Sequence, residues 1–223
     1  MCGRFTLHTP EARIREAFNL EHTQPLGLSP RFNIAPSQDI PIIRDSESGP
    51  EMTLARWGLV PGWSKEPRNK YSTINARIES VAEKPTYRNS FKHRRCLIPA
   101  DEFYEWKLVN GHKIPYHIRM RDGDVFAFAG LCDHWEGDGK LLDSCSIIVM
   151  PANEVMKPLH DRMPAIVAPG HYALWLDSRV TDKQEIMQHL NSAPSGQLKA
   201  YPVSPWVNVP KHDDVRCIQP AEG

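Results

Sequence analysis

The chain has no excess charge of either sign: its 223 residues carry 27 Lys plus Arg and 27 Asp plus Glu. A protein that coats nucleic acid through bulk electrostatics needs a cationic surplus, so that class is excluded, although a local basic groove is not. No apolar run approaches the roughly 20 residues of a membrane helix, and the N-terminus lacks the charged-then-apolar pattern of a secretory signal. These absences predict a soluble, unexported protein, cytoplasmic or nucleoid-associated, with no membrane partner. Cysteine is sparse. The five residues at 2, 96, 132, 145 and 217 form no C-x-x-C pair and leave one unmatched. That count excludes a disulfide framework and the usual zinc spacings, so no metal and no cofactor is expected. Cys96, Cys132, Cys145 and Cys217 sit among apolar residues and read as small core side chains. Internal repeats and low-complexity tracts are also missing, which leaves one domain over residues 1–223, with the last few residues a flexible tail.

What is present is a succession of short strand patterns. Ile40–Arg44, Met52–Trp57, Arg95–Ile98, Phe103–Lys107, Tyr116–Met120, Val125–Leu131 and Ser144–Met150 are separated by Gly, Pro and Asp clusters. Helices are fewer. Thr9 as cap, Pro10 at the first helical position and Ile14, Ala17 and Phe18 at helical spacing predict one over residues 10–19. Pro169–Leu176 and Asp182–Leu190 read as later helices, Tyr201–Val203 and Val215–Ile218 as short closing strands. The 20 prolines lie mostly between elements, where they fix loops without breaking strands. Residues 61–73 form a long surface loop suited to binding. The fold class is therefore α+β: a single domain of mostly antiparallel or mixed strands curled into an open barrel-like sheet, with peripheral helices.

Four segments combine reactive groups with tight local context. In Met1-Cys2-Gly3-Arg4-Phe5, removal of Met1 leaves Cys2 with a free α-amine and a free thiol. Such a 1,2-aminothiol captures aldehydes: the amine forms a Schiff base and the thiol closes on the same carbon to give a thiazolidine. The unperturbed groups titrate near pH ~8 and ~8.5, so both nucleophilic forms exist near neutrality. Arg4 adds a permanent cation beside them. In Ile74–Glu79, alternation puts Asn75, Arg77 and Glu79 on one face of an extended segment, where a solvated polar face is the plainer interpretation. In Phe103–Lys107, Glu105 stands among bulky rings, and desolvation of a carboxylate there suits a general acid or base, although an edge-strand ion pair fits equally well. The last segment is Leu159-His160-Asp161-Arg162-Met163-Pro164. There His160 offers a proton carrier, Asp161 its orienter and Arg162 a phosphate contact.

Taken together, eight segments resemble the SRAP family, the SOS-response-associated peptidase domain proteins, also called abasic site processing proteins. They are Met1–Phe5, Phe32–Pro36, Arg56–Pro61, Ile74–Glu79, Arg95–Ala100, Phe103–Lys107, Phe126–Leu131 and His160–Pro164. They run in the family's order across nearly the whole chain, and the match is less sharp after about residue 170. The resemblance implies a DNA damage response protein that crosslinks covalently to abasic sites in single-stranded DNA and shields the lesion. Carried onto this chain, it implies catalytic roles for Cys2, Asn75, Glu105 and His160. Arg4, Arg77 and Arg162 would contact phosphates, Trp63 and Trp106 would stack on bases, and Asn33 and Pro36 would complete the DNA surface. A monomer suffices for such a reaction. Two other readings stay open: a cysteine peptidase built on Cys2, His160 and Asn75, confined to removing its own leader or to self-release of the crosslink through Glu105, and a non-covalent single-stranded DNA module. Within the crosslinking reading, leakage of an unclosed Schiff base would add weak lyase activity.

Overall fold

The computed structural model describes residues 2–20, 22–67, 71–188, 190 and 195–221. Removal of Met1, part of the 61–73 loop, His189 of the predicted late helix and the tail predicted at Glu222 and Gly223 lie outside the described residues. In chain order the strands are β1 Phe5–Leu7, β2 Arg31–Ile34, β3 Asp39–Arg44, β4 Glu51–Trp57, β5 Asn75–Arg77, β6 Arg95–Ala100 and β7 Glu102–Val109. There follow β8 His112–Met120, β9 Phe126–Gly137, β10 Lys140–Pro151, β11 Arg162–Pro164, β12 Ile166–Val167 and β13 Leu198–Pro202. The helices are α1 Glu11–Ala17, α2 Arg88–His93, α3 Tyr172–Leu176 and α4 Lys183–Gln188. The longest strands are those with clear turn chemistry between them: β7 and β8 meet at Asn110-Gly111, both with positive φ, and β9 and β10 at Asp138-Gly139.

Two sheets share these strands. A five-stranded antiparallel sheet runs β13-β8-β7-β1-β2, and an eight-stranded one runs β11-β10-β4-β3-β6-β9-β12 with β5 beside β10. The larger sheet is mixed, because β10 pairs parallel with β4 and β5 and antiparallel with β9 and β11. The β9–β10 hairpin joins the strands next to the two ends of that path and curls the sheet, without making a closed barrel, which agrees with the predicted fold class. Between the sheets, Phe5, Phe103, Phe128 and Trp57 meet edge to face at centroid separations of 5.3 to 5.9 Å, a geometry favoured by the ring quadrupoles. The four cysteines expected inside are buried and free. The buried Arg95 staples the helices to β6: its guanidinium donates to the carbonyls of Phe91, Lys92, Trp175, Asp177 and Val180.

Two local expectations are corrected. Val215–Ile218 is a 3-10 turn, not a strand, because the Asp214 side chain accepts from the Arg216 N–H and caps it. Thr9 does not cap α1. Its hydroxyl and amide both donate to Asp101, and Pro10 takes the cap position without a side-chain bond.

Candidate active site

The N-terminus reaches the site because β1 is wedged between β2 and β7. Phe5 lies opposite Phe103, Thr6 opposite Glu102, and the Tyr104 N–H donates to the Arg4 carbonyl at 3.0 Å. Pairing therefore continues past the end of β1 and delivers Cys2 alongside β7. Its side chain is fully buried, and its Sγ faces the Arg4 carbonyl at 3.8 Å. Asn75, the first residue of β5, donates from Nδ2 to the Cys2 carbonyl at 2.8 Å, while its Oδ1 is buried without a hydrogen-bond partner. Burial pushes the Cys2 thiol well above its ordinary range, and the negative charge of Glu105 pushes it further. Glu105 is itself buried on the interior face of β7, and its Oε1 accepts from the Trp106 N–H at 3.2 Å.

His160 ends the turn that follows β10, its N–H donating to the Met156 carbonyl at 2.9 Å. The His160 Nδ1 accepts from the Arg162 N–H at 2.9 Å and lies 2.7 Å from Asp161 Oδ1. With Nδ1 so occupied, Nε2 is the ring nitrogen left for proton transfer. Because β5 and β11 flank the same end of β10, Arg77 and Pro164 both register with Val149. This brings the Arg162 guanidinium onto Glu79 Oε1 in an ion pair. Against the upward pull of burial, the Arg162 hydrogen bond and the nearby Arg77 charge hold Glu79 below its usual value.

The remaining predicted contacts fall into two groups. On the opposite face of β7, Arg4 lies 5.9 Å from the Trp106 ring, and Trp106 Nε1 donates to Asn208 at 2.8 Å. Asn33 holds this group from below. It is fully buried, its Oδ1 accepts from Arg4 at 2.9 Å, and its Nδ2 donates to the carbonyls of Val207, Val209 and His212. Pro36 borders a cleft of about 430 Å³ whose walls include Arg56, Trp57, Gly58 and Ile74, and none of Cys2, Asn75 and Glu105 lines it. Trp63 stands apart, 67 % exposed on a loop tied to β9 by the Gly62 N–H bond to Asp133 and the Trp135 indole bond to the Ser64 carbonyl. Cys2, Asn75 and Glu105 thus form one group, Arg4, Asn33 and Trp106 a second, and Arg77 and Arg162 a third around Glu79. The pairing of Glu79 with Arg162 does not follow from the sequence, where alternation only puts Glu79 on the face of Asn75 and Arg77. Asn208, the acceptor for Trp106, belongs to Val207-Asn208, which resembles the family's ending, but nothing in the sequence pairs it with Trp106. No group of three or more His, Cys, Asp or Glu suited to a metal occurs among the described residues, and no helix there is long and apolar enough to cross a membrane.

Known proteins resemble this chain over most of its length. The abasic site processing protein YoqW of Bacillus subtilis is 40 % identical over 222 residues, covering 98 % of this chain and 99 % of its own. The abasic site processing protein HMCES of Xenopus tropicalis is 31 % identical, covering 85 % of this chain and 65 % of its own. A crystal structure of a Bacteroides thetaiotaomicron protein superposes with a TM-score of 0.85 at 25 % identity, covering 99 % of this chain and 100 % of that one. The description of the SOS response associated peptidase family, SRAP, matches residues 1–210. The chain is therefore a member of the SRAP family.

Proposed function

We propose that this protein processes abasic sites as its named relatives do, by capturing the ring-opened sugar aldehyde in single-stranded DNA as a thiazolidine on Cys2. The observation that carries the reading is the clamp on the N-terminal residue: a side-chain amide fixes the Cys2 carbonyl, and a buried carboxylate stands against its thiol. Fixing the backbone orients amine and thiol toward one incoming carbon, which removes much of the entropic cost of two successive additions.

Atoms and protons balance without a co-reactant. With Met1 removed, the neutral α-amine adds to C1′ of the aldehyde, and the carbinolamine loses one water to give an iminium. The thiol then adds to the same carbon, its sulfur forming the second bond while its proton leaves. Glu105 is assigned to receive that proton and to return it when the ring reopens. His160 is assigned, through Nε2, to protonate the sugar oxygen as the ring opens and the hydroxyl as it departs. Asn75 Oδ1, buried and without an acceptor's share of bonding, is assigned to the α-amine or the freed sugar hydroxyl. Arg4, Arg77 and Arg162 position phosphates, Trp106 and Trp63 supply stacking surfaces, Pro36 lines the cleft it shares with Arg56 and Trp57, and Asn33 acts through the Arg4 it holds. The peptidase arrangement is less well supported, since Asn75 bonds Cys2 and not His160.

The test is a denaturing gel of Met1-processed protein mixed with single-stranded DNA carrying one abasic site. A slow-migrating band is expected from the wild type and not from Cys2→Ala, nor from a chain that keeps a residue ahead of Cys2. Equal bands in all three, or none in any, would overturn the reading.

A further inference from the structure

On the outer face of the five-stranded sheet, away from Cys2, cationic charge is left without a counterpart. Arg119 of β8 and Lys199 of β13 are directly opposite each other across the ladder, so their side chains share a face. Like charges so placed destabilise a sheet unless an anion lies between or beside them. Glu102 of β7 is directly opposite Arg119 on its other side and would be the natural partner. It is turned elsewhere: its carboxylate accepts from Thr6 and His8 and lies 3.5 Å from the His117 ring. Among the described residues neither Arg119 nor Lys199 has a hydrogen bond or ion pair through its side chain, and Arg119 Nε is buried without a partner. A buried guanidinium N–H left unsatisfied costs free energy that a ligand oxygen would recover.

The two cations also share a concave surface. A cleft of about 450 Å³ is lined by Arg119, Lys199, Tyr201, Pro202, Pro220 and Ala221. Its rim is fixed by backbone pairing, since Val203 bridges to Pro220 and the Ala221 N–H donates to the Pro202 carbonyl at 3.0 Å. The Tyr201 hydroxyl is spent on the Ile218 carbonyl at 3.3 Å, so the phenol serves as a wall. A guanidinium fork and an ammonium group lining one cleft supply the donors that a tetrahedral oxyanion takes.

We propose that Arg119 and Lys199 form a phosphate-binding site on the back of the five-stranded sheet, separate from the Cys2 site. The phosphate comes either from the backbone of the same DNA strand, a source that rests on the function proposed above, or from free phosphate, which does not. Inorganic phosphate titrated into wild type and into the Arg119→Gln/Lys199→Gln double variant, followed by calorimetry, is expected to bind the wild type and to bind the double variant at least tenfold more weakly. Lys199→Gln alone, a change at a partnerless position on the edge strand, should weaken binding in a chain that keeps its fold. Equal phosphate binding in wild type and both variants, or none in any, overturns the proposal. The second arm uses intact single-stranded DNA long enough to pass beyond the Cys2 site. If the strand supplies the phosphate, the slope of log affinity against log salt falls by roughly 0.7 in the double variant, the share of the one phosphate that the two cations neutralise together. An unchanged slope with weakened phosphate binding assigns the site to the free ion. Crosslinking to a short abasic oligonucleotide is read separately: its absence in the wild type would count against the Cys2 chemistry and leave the phosphate titration standing.

Discussion

The Asn75 side chain and the Cys2 main chain are joined by a single hydrogen bond, Nδ2 to carbonyl oxygen at 2.8 Å, and the other half of the same amide is buried unsatisfied. One half of the group fixes the residue that reacts, and the other half is available to what reacts with it. Asn75→Ala removes both. Because the reaction needs amine, thiol and aldehyde in one geometry, crosslinking should slow by about 10- to 100-fold. Stability should change far less, since one neutral hydrogen bond is worth about 1 kcal/mol. A time course of denaturation-resistant complex, read beside a urea melt, checks both. A fast crosslink in this variant would show that the clamp does not orient Cys2.

The Cys2 thiol is held protonated by burial first and by Glu105 second. Thiolate is scarce at neutral pH in such a site, so ring closure needs a base to take the proton as the carbon–sulfur bond forms, and the rate should rise with pH. Glu105→Gln removes both the base and the charge. Crosslinking at pH 7 should fall by about 10²- to 10⁴-fold, the usual contribution of a positioned acid–base group, and recover as hydroxide takes over at alkaline pH. Rates measured across pH for the two proteins test this. Superimposable profiles would remove Glu105 from the proton path.

The parts of this molecule that were legible in the sequence are those decided locally. Long alternating runs bounded by Gly and Asp gave β7 through β10, and the apolar settings of Cys96, Cys132, Cys145 and Cys217 gave their burial. Short elements were not legible. β1 is three residues long and exists because β2 and β7 flank it, while Val215–Ile218 has strand-like residues but a capping Asp214 that turns it into a helix. Within the site, chain position alone exposed Cys2 as a possible reagent, and alternation placed Asn75, Arg77 and Glu79 together. Whether a charged group faces solvent or a partner depends on strands distant in sequence. Asn33 looks like a surface amide in its motif, yet four hydrogen bonds to Arg4, Val207, Val209 and His212 consume it. Glu102 and Glu105 belong to one strand and differ by three residues, so the pleat sends them to opposite faces and into different chemistry.

Glu102 gives a prediction about stability. Burial works to raise its pKa, but His117, His8 and Thr6 outweigh it and hold the carboxyl far below the ordinary range. A depressed folded-state pKa stabilises the protein above the unfolded value of about 4.3, and that contribution is lost as pH falls below it. His8 behaves oppositely: chiefly through its hydrogen bond to Glu102, its pKa is raised. Its contribution is full below the unfolded value of about 6.5 and is lost as pH rises through the folded one. The cluster therefore stabilises most between about pH 4.3 and 6.5. Urea midpoints should be higher at pH 5.5 than at pH 3 or 9. His8→Ala should remove the alkaline decline of this cluster, and Glu102→Gln should blunt both limbs. Midpoints in Glu102→Gln that track the wild type across the whole range would show that the cluster is not coupled to folding.

The ion pair between Arg162 and Glu79 sets the sign of the last prediction. In the proposed function Arg162 meets a phosphate, but in the free protein its guanidinium is already held by a carboxylate that Arg162 and Arg77 keep ionised. A bound strand must share or displace that anion. Glu79 is 48 % exposed at its side chain, and exchange of one such surface pair is worth about 0.2 to 1 kcal/mol. Glu79→Gln should therefore tighten non-covalent binding of single-stranded DNA by about 1.5- to 5-fold at low ionic strength. The gain should fade as salt shortens the range of the charge. It should be equal for intact and abasic strands, because Glu79 faces a phosphate contact and not the reacting carbon. In a chain that already carries Arg162→Gln, Glu79→Gln should change nothing, which a double-mutant cycle measures directly. Weaker binding by Glu79→Gln would mean that the carboxylate instead holds the Arg162 fork in its binding orientation, and the assignment of Glu79 as a competitor for Arg162 would fall.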